Sequence, residues 1–240
     1  MAKQTVAQFA QELERALGAH LVSLLLYGSA ARAASSHSRS DVNTLLICDV
    51  VDQDVVTQLA APVQAWVRSG QPAPIILTER EWRDATDAFP IEYEDMREAN
   101  RLLAGRDPWQ GISVQREHVR RQLEHELMGK LVQARRAYAA LSGEPKRLAA
   151  VLVESAGGFF AMLRAAVRLT GATPPATTDK LVELAGRTLG FDASRLEPLV
   201  AHVMGGRELT LQAGDGLPAA YVAALAATAG FVNRMERKGS

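Results

Sequence analysis

The chain has 240 residues, 48% hydrophobic and 22% charged, with 27 Lys and Arg against 27 Asp and Glu. This is the profile of a globular protein of one large or two small domains, and its balanced charge removes any overall electrostatic case for a nucleic-acid or membrane partner. The single cysteine, Cys48, excludes an intrachain disulfide and reads as a small buried hydrophobe. No stretch reads as a signal peptide and no apolar run as long enough to span a bilayer, so the expectation is a cytoplasmic protein without a membrane partner.

Residues 5–18 carry apolar side chains at Val6, Phe9, Leu13 and Leu17, one helical stripe that stops at Gly18. Residues 21–26 are continuously apolar and too short for a surface helix, which predicts a strand buried on both faces. After Tyr27-Gly28-Ser29, residues 30–34 read as a short helix and the polar segment 35–40 as a loop. Residues 42–48 form a second strand. Asp52 or Asp54 caps the next helix, striped with Val55, Val56, Leu59, Val63, Trp66 and Val67. Residues 74–77 make a short third strand. Residues 78–81 resemble a capping box in all but spacing and open a helix running to Asp87. Residues 91–96 and 101–104 read as two more strands around a polar turn at 97–100. Helices alternating with strands in this way fit an α/β sheet domain.

Beyond Gly105-Arg106-Asp107-Pro108 the strand signals stop. Residues 115–140 and 145–170 predict two long helices, the second opening at Pro145 and carrying Gly157-Gly158, which marks a close crossing or a break. Residues 179–189, 194–204 and 218–237 predict three more. The expected division is 1–112 for the α/β domain and 113–238 for an all-α helical bundle.

The chemistry gathers between the first two strands. Gly28-Ser29 can bring backbone N–H groups to a phosphate at a helix start, and Asp41 can carry a metal beside it. Gly28-Ser29, a ten-residue spacer and Ser40-Asp41-Val42-Asn43, set between two apolar strands, resemble the signature of the nucleotidyltransferase-fold, DNA polymerase β-like superfamily. Small bacterial nucleotidyltransferase-like proteins are among its members. The resemblance covers mainly residues 21–48. It implies an α/β nucleotidyltransferase-like mixed-sheet domain followed by a helical bundle on the acceptor side of a cleft. It also implies transfer of a nucleoside monophosphate from a nucleoside triphosphate to a hydroxyl of a small-molecule or protein acceptor. Gly28 and Ser29 would hold the β- and γ-phosphates. Asp41, Asn43 and a third acid would hold Mg²⁺, a hard cation that prefers charged oxygen ligands.

The family pattern has an acid where this chain has Asn43, so the resemblance implies slow or absent catalysis. A non-catalytic nucleotide-sensing or partner-binding protein, for instance half of a toxin-antitoxin-like pair, is the alternative. For the third acid the sequence offers Glu92, Glu94 and Asp95; Glu92 is favoured because it lies within the predicted strand, sharing a face with Glu94. Arg32 and Arg39, in the loop after Ser29, can pair with phosphate oxygens, and Ser40 joins them in the nucleotide-binding set. The histidines show no metal-ligand spacing. An Ala-rich face over residues 219–229 suits association of two copies through the helical domain.

Overall fold

The computed structural model describes residues 4–32 and 42–236, in two compact units, Met1–Gln115 and Arg116–Ser240. Both are taken separately below.

The first unit is an α/β fold around a four-stranded mixed sheet. Its strands are β1 (Leu21–Tyr27), β2 (Asn43–Cys48), β3 (Ile75–Thr78) and β4 (Asn100–Gly105), in the order β3-β2-β1-β4. β1 runs antiparallel to β2 and β4, and β2 runs parallel to β3. The two central strands are apolar without alternation because each face has its own cover. Leu24, Leu46 and Cys48 pack with α1 (Val6–Leu17) and α3 (Gln53–Arg68), where Phe9 stacks on Trp66 at 4.4 Å. Leu25, Leu45 and Ile47 pack on the opposite face against Trp82, Tyr93 and Met96. There Trp82 stacks on Tyr93 at 4.2 Å, and Tyr93 Oη donates to the Trp82 carbonyl at 2.5 Å. Cys48 is buried, and burial with the neighbouring Asp49 charge pushes its thiol up to about 11.

Helix starts follow local chemistry. Thr5 and Gln8 form a reciprocal capping box at α1, and Asp52 caps α3 by accepting from Val55 N–H at 2.9 Å. Thr78 and Glu81 make a second complete box, so its spacing is regular after all, and they open a shorter helix than expected, α4 (Glu79–Asp84). A four-residue turn of helix, α2 (Ser29–Arg32), follows β1.

One expected strand is a helix. Residues 91–96 lie in α5 (Pro90–Glu98), not in a strand, and no polar turn separates them from residues 97 and 98. Pro90 at the first position and Glu92 in the first turn both favour a helix start. Burial of Ile91, Tyr93 and Met96 fixes the helix against the sheet.

Gly105, at the end of β4, has φ 77°, and a Cβ there would stand 2.3 Å from the Val22 carbonyl oxygen. Gly105→Ala is therefore expected to destabilise the first unit by roughly 2–4 kcal/mol, since both the dihedral and the backbone contact oppose a side chain. Urea unfolding checks this; a loss under about 0.5 kcal/mol would contradict the close approach.

The second unit has helices and connecting turns but no strand among its described residues. It consists of α6 (Arg116–Leu141), α7 (Pro145–Leu169), α8 (Thr178–Leu189), α9 (Glu197–Val203) and α10 (Leu217–Glu236), with a 3₁₀ turn at Ala193–Leu196. α7 is the central element, packing against the other four. By length and composition alone it could cross a membrane, unlike the sequence expectation that no run was long enough. Its apolar length is core surface, with Leu152, Ala156, Phe159, Leu163 and Val167 buried inside the bundle. Buried Arg164 is held by the Pro175 carbonyl at 2.9 Å. Gly157-Gly158 does not break α7. A Cβ on Gly158 would instead meet Lys130 Nζ at 3.1 Å, so the glycine clears a path for that side chain.

Tyr93 and Tyr221 are buried, and burial pushes both phenols up, Tyr221 to about 12. In the unfolded chain they ionise near 10, while the folded protein keeps them protonated. Stability from these groups is intact below that pH and is lost as pH rises through the folded values. Chemical denaturation above pH 10 should thus show a steep decline that Tyr93→Phe makes shallower; an unchanged slope would contradict the burial of that phenol.

Candidate functional site

The candidate site is the end of the sheet where β1 stops. Tyr27, the last residue of β1, pairs with Asn43 of β2 on one side and Asn100 of β4 on the other. The chain then turns at Gly28, whose φ of 79° suits glycine. Its missing side chain leaves Asn43 close by: a Cβ there would lie 3.6 Å from Asn43 Nδ2. The turn and the first residue of β2 therefore meet, as the spacing of the two motifs requires.

The Gly28 N–H is already used, donating to the Ala99 carbonyl at 3.0 Å. It is not available to a phosphate, which corrects the expectation that both Gly28 and Ser29 offer backbone donors. The Gly28 carbonyl accepts from Ala31 N–H at 3.1 Å, closing the short α2 turn. Asn100 is half-buried, its Nδ2 donating to the Met96 and Arg97 carbonyls at 2.9 and 3.2 Å at the end of α5. The turn, β4 and the end of α5 are thus one hydrogen-bonded corner.

Of the three candidate acids, all now on α5 instead of a strand, Glu92 is the one whose charge reaches this corner. The Tyr27 phenol is pushed above its ordinary value first by burial and second by Glu92. Glu94 is turned to Arg97, 3.7 Å away, and Arg97 in turn donates to the Ile112 carbonyl at 2.7 Å and lies over the Trp109 ring. On a helix Glu92 and Glu94 do not share a face, so the pairing expected from strand geometry is withdrawn. The site tyrosine, Tyr27, was missed by the sequence reading. Its signal was its place immediately before Gly28.

Asp41, Arg39 and Ser40 lie outside the described residues, as do the side chains of Ser29 and Arg32. Among the described residues no group of three or more His, Cys, Asp or Glu side chains is arranged to hold a metal. Among the described residues the candidate donors are one carboxylate, Glu92, and one amide oxygen, Asn43. Mg²⁺ commonly takes one or two carboxylates together with substrate phosphates, so this donor set needs a second acid or the substrate itself. No family model matches the chain, and no curated protein matches it.

Glu92→Gln removes the like charge beside the Tyr27 phenol and leaves its burial in place. The Tyr27 pKa, followed by tyrosinate absorbance against a Tyr27→Phe control, is expected to fall toward its ordinary value without reaching it. An unmoved titration would separate Glu92 from the corner.

Proposed function

We propose that the first unit is a nucleotidyltransferase-like domain that binds a nucleoside triphosphate at the corner of Gly28, Asn43 and Glu92. Transfer of the nucleoside monophosphate to a hydroxyl acceptor is slowed by the neutral side chain at Asn43. The observation that carries this reading is the meeting of the Gly28 turn with Asn43 at one end of adjacent antiparallel strands, with the Glu92 charge felt at Tyr27 between them. Phosphoryl chemistry is served mostly by position and charge. In this reading Ser29 meets the phosphates, Arg32 and Arg39 pair with their oxygens, and Ser40 completes that wall. Asp41 and Glu92 would hold Mg²⁺, with the amide oxygen of Asn43 a weaker ligand than the family's carboxylate. Mg²⁺, when bound, neutralises the triphosphate. The protein's part is to fix the phosphates against the sheet end.

Two observations favour the second reading, a nucleotide-sensing or partner-binding protein without turnover. The third acid comes from a helix, and the Gly28 N–H is spent inside the fold.

Calorimetry with ATP and GTP, with and without Mg²⁺, tests the site. Saturable Mg²⁺-dependent binding is expected, and Asn43→Asp should tighten it by about tenfold, the equivalent of ~1.4 kcal/mol for one added carboxylate. No binding at millimolar nucleotide would end the transfer and the nucleotide-sensing readings and leave only partner binding. Pyrophosphate release separates them: release that appears only in Asn43→Asp favours sensing, and slow release already in the native protein favours transfer.

A further inference from the structure

The second unit holds a cavity of about 300 Å³ among α6, α7 and α10, the size of a small-ligand site. Its wall is apolar at Leu148, Leu152 and Val222 and polar at Lys130, Ser155 and Tyr221. The polar side chains are linked. Lys130 Nζ donates to the Ser155 carbonyl at 3.2 Å and to Ser155 Oγ at 3.3 Å, and Ser155 Oγ lies 2.8 Å from Tyr221 Oη. Tyr221 is fully buried, and Gly158 supplies the room in which the Lys130 head sits. Burial pulls the Lys130 ammonium below its ordinary pKa, with Glu126 one turn away opposing the shift.

A proton count shows what the group still offers. An ammonium has three N–H bonds and each hydroxyl has one O–H. Two N–H bonds turn to Ser155, and one hydroxyl proton is shared between Ser155 and Tyr221. By that count one N–H of Lys130 and one O–H of the Ser155–Tyr221 pair remain, on residues that line the cavity. Two such donors match the two oxygens of a carboxylate. Ser155 sits deep within α7, where its own N–H is used by the helix, so no backbone donor stands by to stabilise an oxyanion. The arrangement suits binding and not acyl transfer.

We propose that this cavity binds a small monocarboxylate, its charged end on Lys130 and the Ser155–Tyr221 pair and its short apolar body against Leu148, Leu152 and Val222. Glu154, exposed at the cavity wall, and Glu126, whose Oε1 accepts from Gln122 at 2.6 Å, disfavour a second negative charge. A dicarboxylate or phosphate ester is therefore rejected. The site is independent of the reading given for the first unit.

The test uses the full chain, titrated calorimetrically with hexanoate, hexan-1-ol and adipate. Hexanoate is expected to bind saturably, and the alcohol and the diacid at least about tenfold more weakly. Lys130→Met, of similar length, should weaken hexanoate by about tenfold or more, and Tyr221→Phe by less. Val151 lines the cavity, so Val151→Trp should occupy its volume and abolish binding; thermal melting verifies that each variant is folded. Absence of saturable binding at millimolar hexanoate overturns the proposal, as does adipate binding equal to hexanoate. Unchanged affinity in folded Lys130→Met overturns it too. If Lys130→Met does not fold, Val151→Trp decides: lost binding sustains the site and retained binding removes it.

Discussion

The first unit depends on burying two central strands on both faces. β1 and β2 have no solvent side, so each residue of the pair must meet a covering layer, and the two layers differ in chemistry. On one side α1 and α3 close around the stacked Phe9 and Trp66. On the other, Trp82, Tyr93 and Trp109 form an aromatic cluster in which Trp82 Nε1 donates to the Pro108 carbonyl and Tyr93 Oη to the Trp82 carbonyl, while Trp109 Nε1 is buried without a partner among the described residues. α5 belongs to this second layer because Tyr93 and Met96 must reach Leu25, Leu45 and Ile47. That requirement also sets Glu92, exposed on α5, where its charge adds to the upward shift of the Tyr27 phenol. Core packing and the placement of the candidate acid are the same event.

The second unit is organised around one helix in a different way. α7 is buried along much of its length; Arg116 reaches the Leu169 carbonyl at its end, Arg164 reaches the Pro175 carbonyl, and a further polar contact lies around Gly158. There the bundle admits a cation, a hydroxyl and a phenol in series. A buried Lys costs desolvation unless it is hydrogen-bonded, and the two bonds to Ser155 meet part of that cost. Replacing the group with apolar residues would be the simpler solution for a bundle core. That is why the presence of a cavity beside it has meaning.

Much of the fold was legible because local signals agreed with tertiary demands. Residues 21–26 read as a strand buried on both faces and 42–48 as a second strand, and the central residues of both are buried in strands β1 and β2. Thr5, Asp52 and Pro145 marked true helix starts. The failure at 91–96 has a definite source: Ile91 and Tyr93 alternate with Glu92 and Glu94, imitating a period of two, and this outweighed Pro90, whose fixed φ suits a first helical turn. The corner at Gly28 and Asn43 was legible as two turn-and-strand motifs, but not the use of the Gly28 N–H, since Ala99 is far along the chain. The Lys130–Ser155–Tyr221 series was not legible at all. Its members are 25 and 66 residues apart, and no periodicity spans such separations.

Cys48 has a consequence of a different kind. It is the only thiol in the chain and it belongs to the first unit, buried in β2 with its ionisation suppressed. Thiolate, not thiol, is the reactive form, so a reagent reaches it only when that unit opens. The second unit contributes no competing signal. The rate of Cys48 modification is thus a built-in clock for the opening of the first unit alone, read in the intact chain without cutting the halves apart.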